Sequence, residues 1–201
     1  MLRPWAALFV LTLGCSPHVY SIFQEGHHKF AYKSDRVIVW DVRVPPRTAT
    51  RMHEHDLDYL FVTLGPAVVT SIPLKGAPTQ LVLQDGEIRF TKGPLIHVAR
   101  NTSNQPFHNV TIELTKPSTN VTPCDSPCVY TSDQWTAYAI TLAPGEHVDT
   151  QDALVVPVSY VNLTHRPEQP LRIYPGQVND TRHPLTNAGP SDARFMLLEF
   201  K

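Results

Sequence analysis

Apolar and polar residues alternate along short stretches of this chain, the period of two that belongs to half-buried β-strands. In Val37–Val44, residues Trp40, Val42 and Val44 fall on one face and Asp41 and Arg43 on the other, and Pro45-Pro46 ends the run. Leu57–Leu64 is almost wholly apolar and closes on Gly65-Pro66. Gln80–Gln84 and Glu87–Phe90 flank Asp85-Gly86. That pair predicts a hairpin with a type I′ turn, in which both turn residues need positive φ. Ile96–Asn101 and Phe107–Thr115 predict a second hairpin across Thr102–Pro106. After the N-terminal segment no window carries a helical apolar stripe, so the reading is an all-β chain of sandwich or barrel type.

The pattern starts again in the second half. Pro117–Ser132 is rich in Pro, Thr and Ser and reads as a linker, 117–132. Beyond it, Trp135–Leu142 ends in Ala143-Pro144-Gly145, and Ala153–Val161 is apolar. His183 and Asn187 repeat the spacing of His97 and Asn101, and Glu199 follows His183 as Glu113 follows His97. This weak internal repeat predicts two tandem units, 30–116 and 133–201.

Composition narrows the class. Hydrophobic residues make up 42% of the 201, enough for a buried core, and 19 prolines suit turns better than helices. A formal net charge of -1 with no long basic run gives no electrostatic footprint for nucleic acid. Arg3, then the apolar run Ala6–Leu13, then Gly14-Cys15-Ser16 reads as a secretory leader, with 1–21 as its extent and export as its consequence. Gly14-Cys15 also resembles a lipoprotein cleavage site, which would put a lipid anchor on Cys15, although Thr12 stands where such sites carry leucine. In an exported protein, Cys124 and Cys128 are expected to form a short local disulfide.

The chemistry lies in His53-Glu54-His55, answered by His97. Histidines one residue apart on a strand face the same way, and a third from another strand can complete one side of a site for Fe, Cu, Mn, Ni or Zn. Glu54 and Asp56 alternate away from the pair. Tyr59 and Phe61 share the histidine parity and are candidates to line a substrate pocket. Asp58 is the candidate carboxylate ligand, or else an ordinary polar residue or an acceptor that orients a histidine. Asn101 is expected to hold a turn through its side chain. His27 and His28 read as a solvated tail, with copper binding as the remote alternative, and Glu113 as a pocket polar group of little weight.

These residues resemble the two motifs of the cupin family. In the first, Arg47 stands at the leading glycine position, His53 and His55 match, Tyr59 and Leu60 occupy the usual glutamate positions, and Gly65 closes the motif. In the second, Gly86, His97 and Asn101 match, and Lys92-Gly93-Pro94 replaces Pro-x-Gly with the order disturbed. The resemblance covers about 35–116 well and the rest faintly. In the second half, Gln151 and Ala153 take the places of the paired histidines and only His183 survives, although another register would use His147, Asp149 and Asp152.

The resemblance implies cupin-type β-barrels (jelly rolls) in tandem. It implies one divalent transition metal on His53, His55, His97 and Asp58 in the first barrel, and a degenerate, metal-free second barrel. Barrel edges in the family often pair, so a homodimer is compatible. Two functions stay open: a metal-dependent oxidoreductase of the dioxygenase kind acting on a small organic substrate, and a non-enzymatic barrel binding a small molecule or carbohydrate. Histidines kept in one half and lost in the other favour the enzyme.

Overall fold

The computed structural model describes residues 18–166 and 169–201. The leader's apolar run and Cys15 lie outside the described residues. The first half carries β1 (Tyr20–Ser21), β2 (His28–Lys33), β3 (Val37–Val44), β4 (His53–His55), β5 (Tyr59–Thr63), β6 (Ala67–Pro73), β7 (Thr79–Leu83), β8 (Ile88–Thr91), β9 (Leu95–Asn101) and β10 (Phe107–Leu114). The second carries β11 (Thr122–Pro123), β12 (Cys128–Thr131), β13 (Trp135–Leu142), β14 (His147–Val148), β15 (Ala153–Pro157), β16 (Val161–Arg166), β17 (Gln169–Ile173), β18 (Asn179–Thr181), β19 (Leu185–Asn187) and β20 (Ala193–Phe200). A short 3-10 turn over Ile22–Gln24 follows β1.

Each half is a pair of facing sheets. The first pairs β1-β4-β9-β6-β7 against β2-β3-β10-β5-β8; the second pairs β14-β19-β16-β17 against β11-β12-β13-β20-β15-β18. The pairings correspond strand for strand: β3 with β10 as β13 with β20, and β4 with β9 as β14 with β19. The internal repeat is therefore structural. Asn101 Nδ2 donates to the carbonyls of Val44 and Gln105, and Asn187 Nδ2 donates to those of Leu142 and Ser191, so the same side chain pins the same turn in both barrels.

Strand parity divides the buried residues. On β3, Trp40, Val42 and Val44 point into the first barrel, while Val37 and Val39 join Leu60, Val62, Val110, Ile112, Trp135, Leu154, Met196 and Leu198 in a core between the barrels. Because β5 and β15 are covered on both faces, every residue of each is buried. A strand buried on both sides has no polar face, which explains the unbroken apolar runs in the sequence.

Several expectations change. Neither predicted hairpin forms. β7 and β8 lie in opposite sheets, as do β9 and β10, so each connection crosses the barrel. At Asp85-Gly86 only the glycine is left-handed, with φ of 78°, so the turn is not type I′. The 117–132 stretch is not all connecting chain, because β12 pairs with β13, while Cys124 is disulfide-bonded to Cys128 there as expected. The leader boundary at residue 21 also overlaps the fold. Tyr20 pairs with His53 in parallel register, and Ile22 is buried in the first barrel's core.

Candidate metal centre

His53 and His97 face each other across the β4–β9 ladder. With His55 they lie inside the first barrel, all three buried. Ring centroids are 4.7 Å apart for His53 and His97, 5.0 Å for His53 and His55, and 5.5 Å for His55 and His97. His28, read from sequence as part of a solvated tail, enters from β2 with its ring 4.7 Å from that of His53. One ligating nitrogen each from His28, His53 and His55 lie within 4.8 Å of one another.

In all four rings Nδ1 is engaged. His53 Nδ1 donates to the Arg51 carbonyl at 2.8 Å. His97 Nδ1 is bonded to Ser71 Oγ at 2.9 Å, His55 Nδ1 to Glu113 Oε1 at 3.2 Å, and His28 Nδ1 to Glu25 Oε2 at 2.7 Å. A donor bond from Nδ1, as His53 makes to a carbonyl, fixes the ring and its tautomer and leaves Nε2 with its lone pair, as in metal sites whose ligands are held by outer acceptors.

The electrostatics point the same way. Burial, with the His28 ring adding to it, lowers His53 to about 3 and His55 to about 3. Burial and the neighbouring imidazoles lower His97 to about 2. These rings are neutral at pH 7, the form that ligates metal. Burial alone would raise Glu25, but hydrogen bonds from His28, His27 and the Arg51 amide outweigh it, so the carboxylate is held well below its usual range. Burial raises Glu113, opposed by the Trp40 indole donating to Oε2 at 3.0 Å.

The donor set fits a transition metal. His53 Nε2 and His55 Nε2 are 3.2 Å apart. With Nδ1 of both rings donating outward, as His53 does to the Arg51 carbonyl and as His55 does to an ionised Glu113, two lone pairs meet, an arrangement suited to a shared cation. Two nitrogens at about 2.1 Å from one ion, subtending a square or tetrahedral angle, stand about 3.0–3.4 Å apart. An all-imidazole set suits Zn, Cu, Fe or Ni far better than Mg or Ca.

Asp58 is corrected: it is not in this cluster. Its carboxylate takes Lys92 Nζ at 2.7 Å and the Gly93 amide at 2.9 Å. Gly93 passes so close to Leu57 that an added Cβ would lie 2.4 Å from the Leu57 carbonyl oxygen, which seats the loop on Asp58. The residue is one strand position out of phase with Tyr59 and Phe61, and its side chain leaves the barrel interior. At the expected glutamate position, Tyr59 instead stacks on His55, with centroids 4.3 Å apart and planes at 24°. Burial pushes its hydroxyl up to about 12, so it stays a phenol. Glu113, opposite Tyr59 on β10, is the carboxylate that reaches a histidine. Arg47, at the motif's leading glycine position, keeps a left-handed φ of 59°. The backbone shape that favours glycine persists without the glycine.

Beside the histidines lies a cavity of about 120 Å³, with Tyr59 and Phe61 in its wall. The corresponding interior of the second barrel is filled by an apolar cluster that includes Leu142, Val155, Leu163, Leu185, Phe195 and Leu197.

No family model matches the sequence, and no curated protein matches it. Solved structures do match. AerE from Microcystis aeruginosa aligns at a TM-score of 0.60 and 8% identity, covering 88% of this chain and 98% of that one. A mutant oxalate decarboxylase of Bacillus subtilis gives 0.58 and 11%, covering 90% and 76%. A cupin 2 conserved barrel domain protein from Leptotrichia buccalis gives 0.56 and 8%, covering 87% and 88%. Identities this low speak for architecture alone. With two jelly-roll barrels in tandem and a His-x-His strand facing a third histidine, the chain has the cupin fold.

Proposed function

We propose that the first barrel holds one divalent transition metal on His53, His55, His97 and His28, and that the protein is a metal-dependent enzyme of the oxygenase type acting on a small organic substrate. The observation that carries this reading is the pair of facing imidazole nitrogens 3.2 Å apart, each ring tied outward through Nδ1. A bound ion of this class supplies Lewis acidity toward a substrate oxygen and, for Fe or Cu, redox capacity. The chain's own residues do the rest. Glu25, Arg51, Ser71 and Glu113 fix the rings. Tyr59 covers His55, and the cavity gives substrate a place beside the ligands. Export, a homodimer and a lipid on Cys15 are carried forward from the sequence as part of the same proposal.

The test is elemental analysis of the purified protein beside His53→Ala/His97→Ala. About one equivalent of Fe, Cu, Mn, Ni or Zn in the parent, lost in the variant, is the expected result. No metal in either after reconstitution would overturn the reading.

A further inference from the structure

The cavity beside the histidines has a composition that selects its occupant. Its wall is apolar where it turns away from the imidazoles, built from Val42, Phe61, Val69, Leu81, Leu95 and Phe107. Among the described residues, no lysine, arginine, aspartate or glutamate lines it. Several of its polar groups already have partners. Thr111 Oγ1 donates to Asn109 Oδ1 at 2.8 Å, Thr50 Oγ1 accepts from the Ala99 amide at 2.8 Å, and Ser71 Oγ is bonded to His97. An anion entering here would lose its hydration and find no fixed cation on the wall, which is costly in an apolar enclosure.

Acidic side chains also stand behind the rings. Two carboxylates already touch the ligating rings, Glu25 on His28 and Glu113 on His55. Size sets the second limit. An engineered apolar cavity of about 150 Å³ takes up benzene. At about 120 Å³ this one is of the same order and admits a molecule of about that size.

We infer that the first barrel takes a compact, uncharged molecule with one oxygen directed at the histidine cluster and an apolar body against Phe61, Val69 and Leu81, and that it excludes small carboxylates. The part played by the metal rests on the proposed function; the shape and charge of the cavity do not. The inference separates this site from the carboxylate substrate named for the similar oxalate decarboxylase fold.

The experiment compares cyclopentanone with oxalate, which have equal numbers of non-hydrogen atoms but differ in charge. Thermal melting is followed for the cobalt-loaded and the metal-free protein with each compound, and the visible cobalt spectrum is recorded in parallel. Cyclopentanone is expected to raise the melting temperature of both forms and to bind about 10-fold or more tightly than oxalate. It is also expected to shift the cobalt bands. Ala99→Leu, at a lining position that is not a proposed ligand, fills the cavity and should abolish the cyclopentanone effect and leave cobalt uptake intact. Leu81→Phe serves the same purpose should Ala99→Leu not fold. Tighter binding of oxalate, or stabilisation by neither compound, overturns the inference. Failure to take up cobalt overturns the metal reading instead, and the metal-free melts still decide which compound the cavity accepts.

Discussion

Acidifying the metal-free protein should destabilise it steeply between pH 6.5 and pH 5. His53, His55 and His97 are held neutral by burial, at about 3, about 3 and about 2, against 6.5 for a free imidazole. Their folded values are depressed, so the unfolded chain binds protons first as pH falls, and stability is lost from pH 6.5 downward. At pH 5 a histidine with an unfolded value of 6.5 and a folded value near 3 has lost about 2 kcal/mol relative to pH 7.5. Three such rings lose at most about 6 kcal/mol, because part of each depression comes from charge on a neighbouring ring, and even half of that is comparable with the stability of a marginal domain. Glu113 acts in the opposite sense, because its raised value lets the folded form take up a proton first, and it returns part of that loss. Glu25 is depressed and contributes only below its ordinary value of 4.5, outside this window. The assay is urea unfolding of chelator-treated protein at pH 7.5, 6 and 5, beside His53→Gln/His55→Gln/His97→Gln. The parent should lose several kcal/mol and the variant little. Saturating metal should restore stability at each pH, since a ligand of the folded state alone adds RT ln(1 + [L]/Kd). A metal-free parent equally stable at pH 7.5 and pH 5 would refute the claim that the fold holds these rings neutral.

Three further outcomes test individual residues. His55→Ala should lower metal content several-fold by elemental analysis, while His183→Ala, in the second barrel, should leave it unchanged. Glu25→Gln weakens the acceptor that fixes His28 and should raise the metal Kd by about 10- to 100-fold in a competition titration; an unchanged Kd would remove His28 from the ligand set. Asp58→Ala should leave metal content intact but cost about 1–2 kcal/mol in chemical denaturation, because it strands the Gly93 amide; loss of metal with full stability would restore Asp58 as a ligand.

What the sequence disclosed was whatever is local. His53, His55, His97 and Asn101 were legible because strand parity and motif spacing act over a few residues. Tyr59 and Phe61 followed from the same parity and do line the cavity. His28 was not legible. It reaches the cluster only because β2 pairs with β3, His28 opposite Val42, and no local period encodes that pairing. The failed hairpins have the same origin. Asp85-Gly86 reverses the chain equally well between paired strands and between facing sheets, and only the long-range pairing of β8 with β5 decides which. Asp58 misled because a shift of one position sends a strand side chain to the other face.

The second barrel shows what the polar interior of the first is for. Both share their strand pairings apart from β1 and β11, and Asn101 and Asn187 pin the same turn. The second closes around leucine, valine and phenylalanine. The first buries His53, His55 and His97, together with Glu113, where apolar side chains would pack without desolvating imidazoles and a carboxylate. Folding of this architecture does not require the histidines, because its twin forms without their like. Four rings from three strands, each turned by an outer partner, are therefore an expense the scaffold has no use for, and the proposed metal centre would account for them.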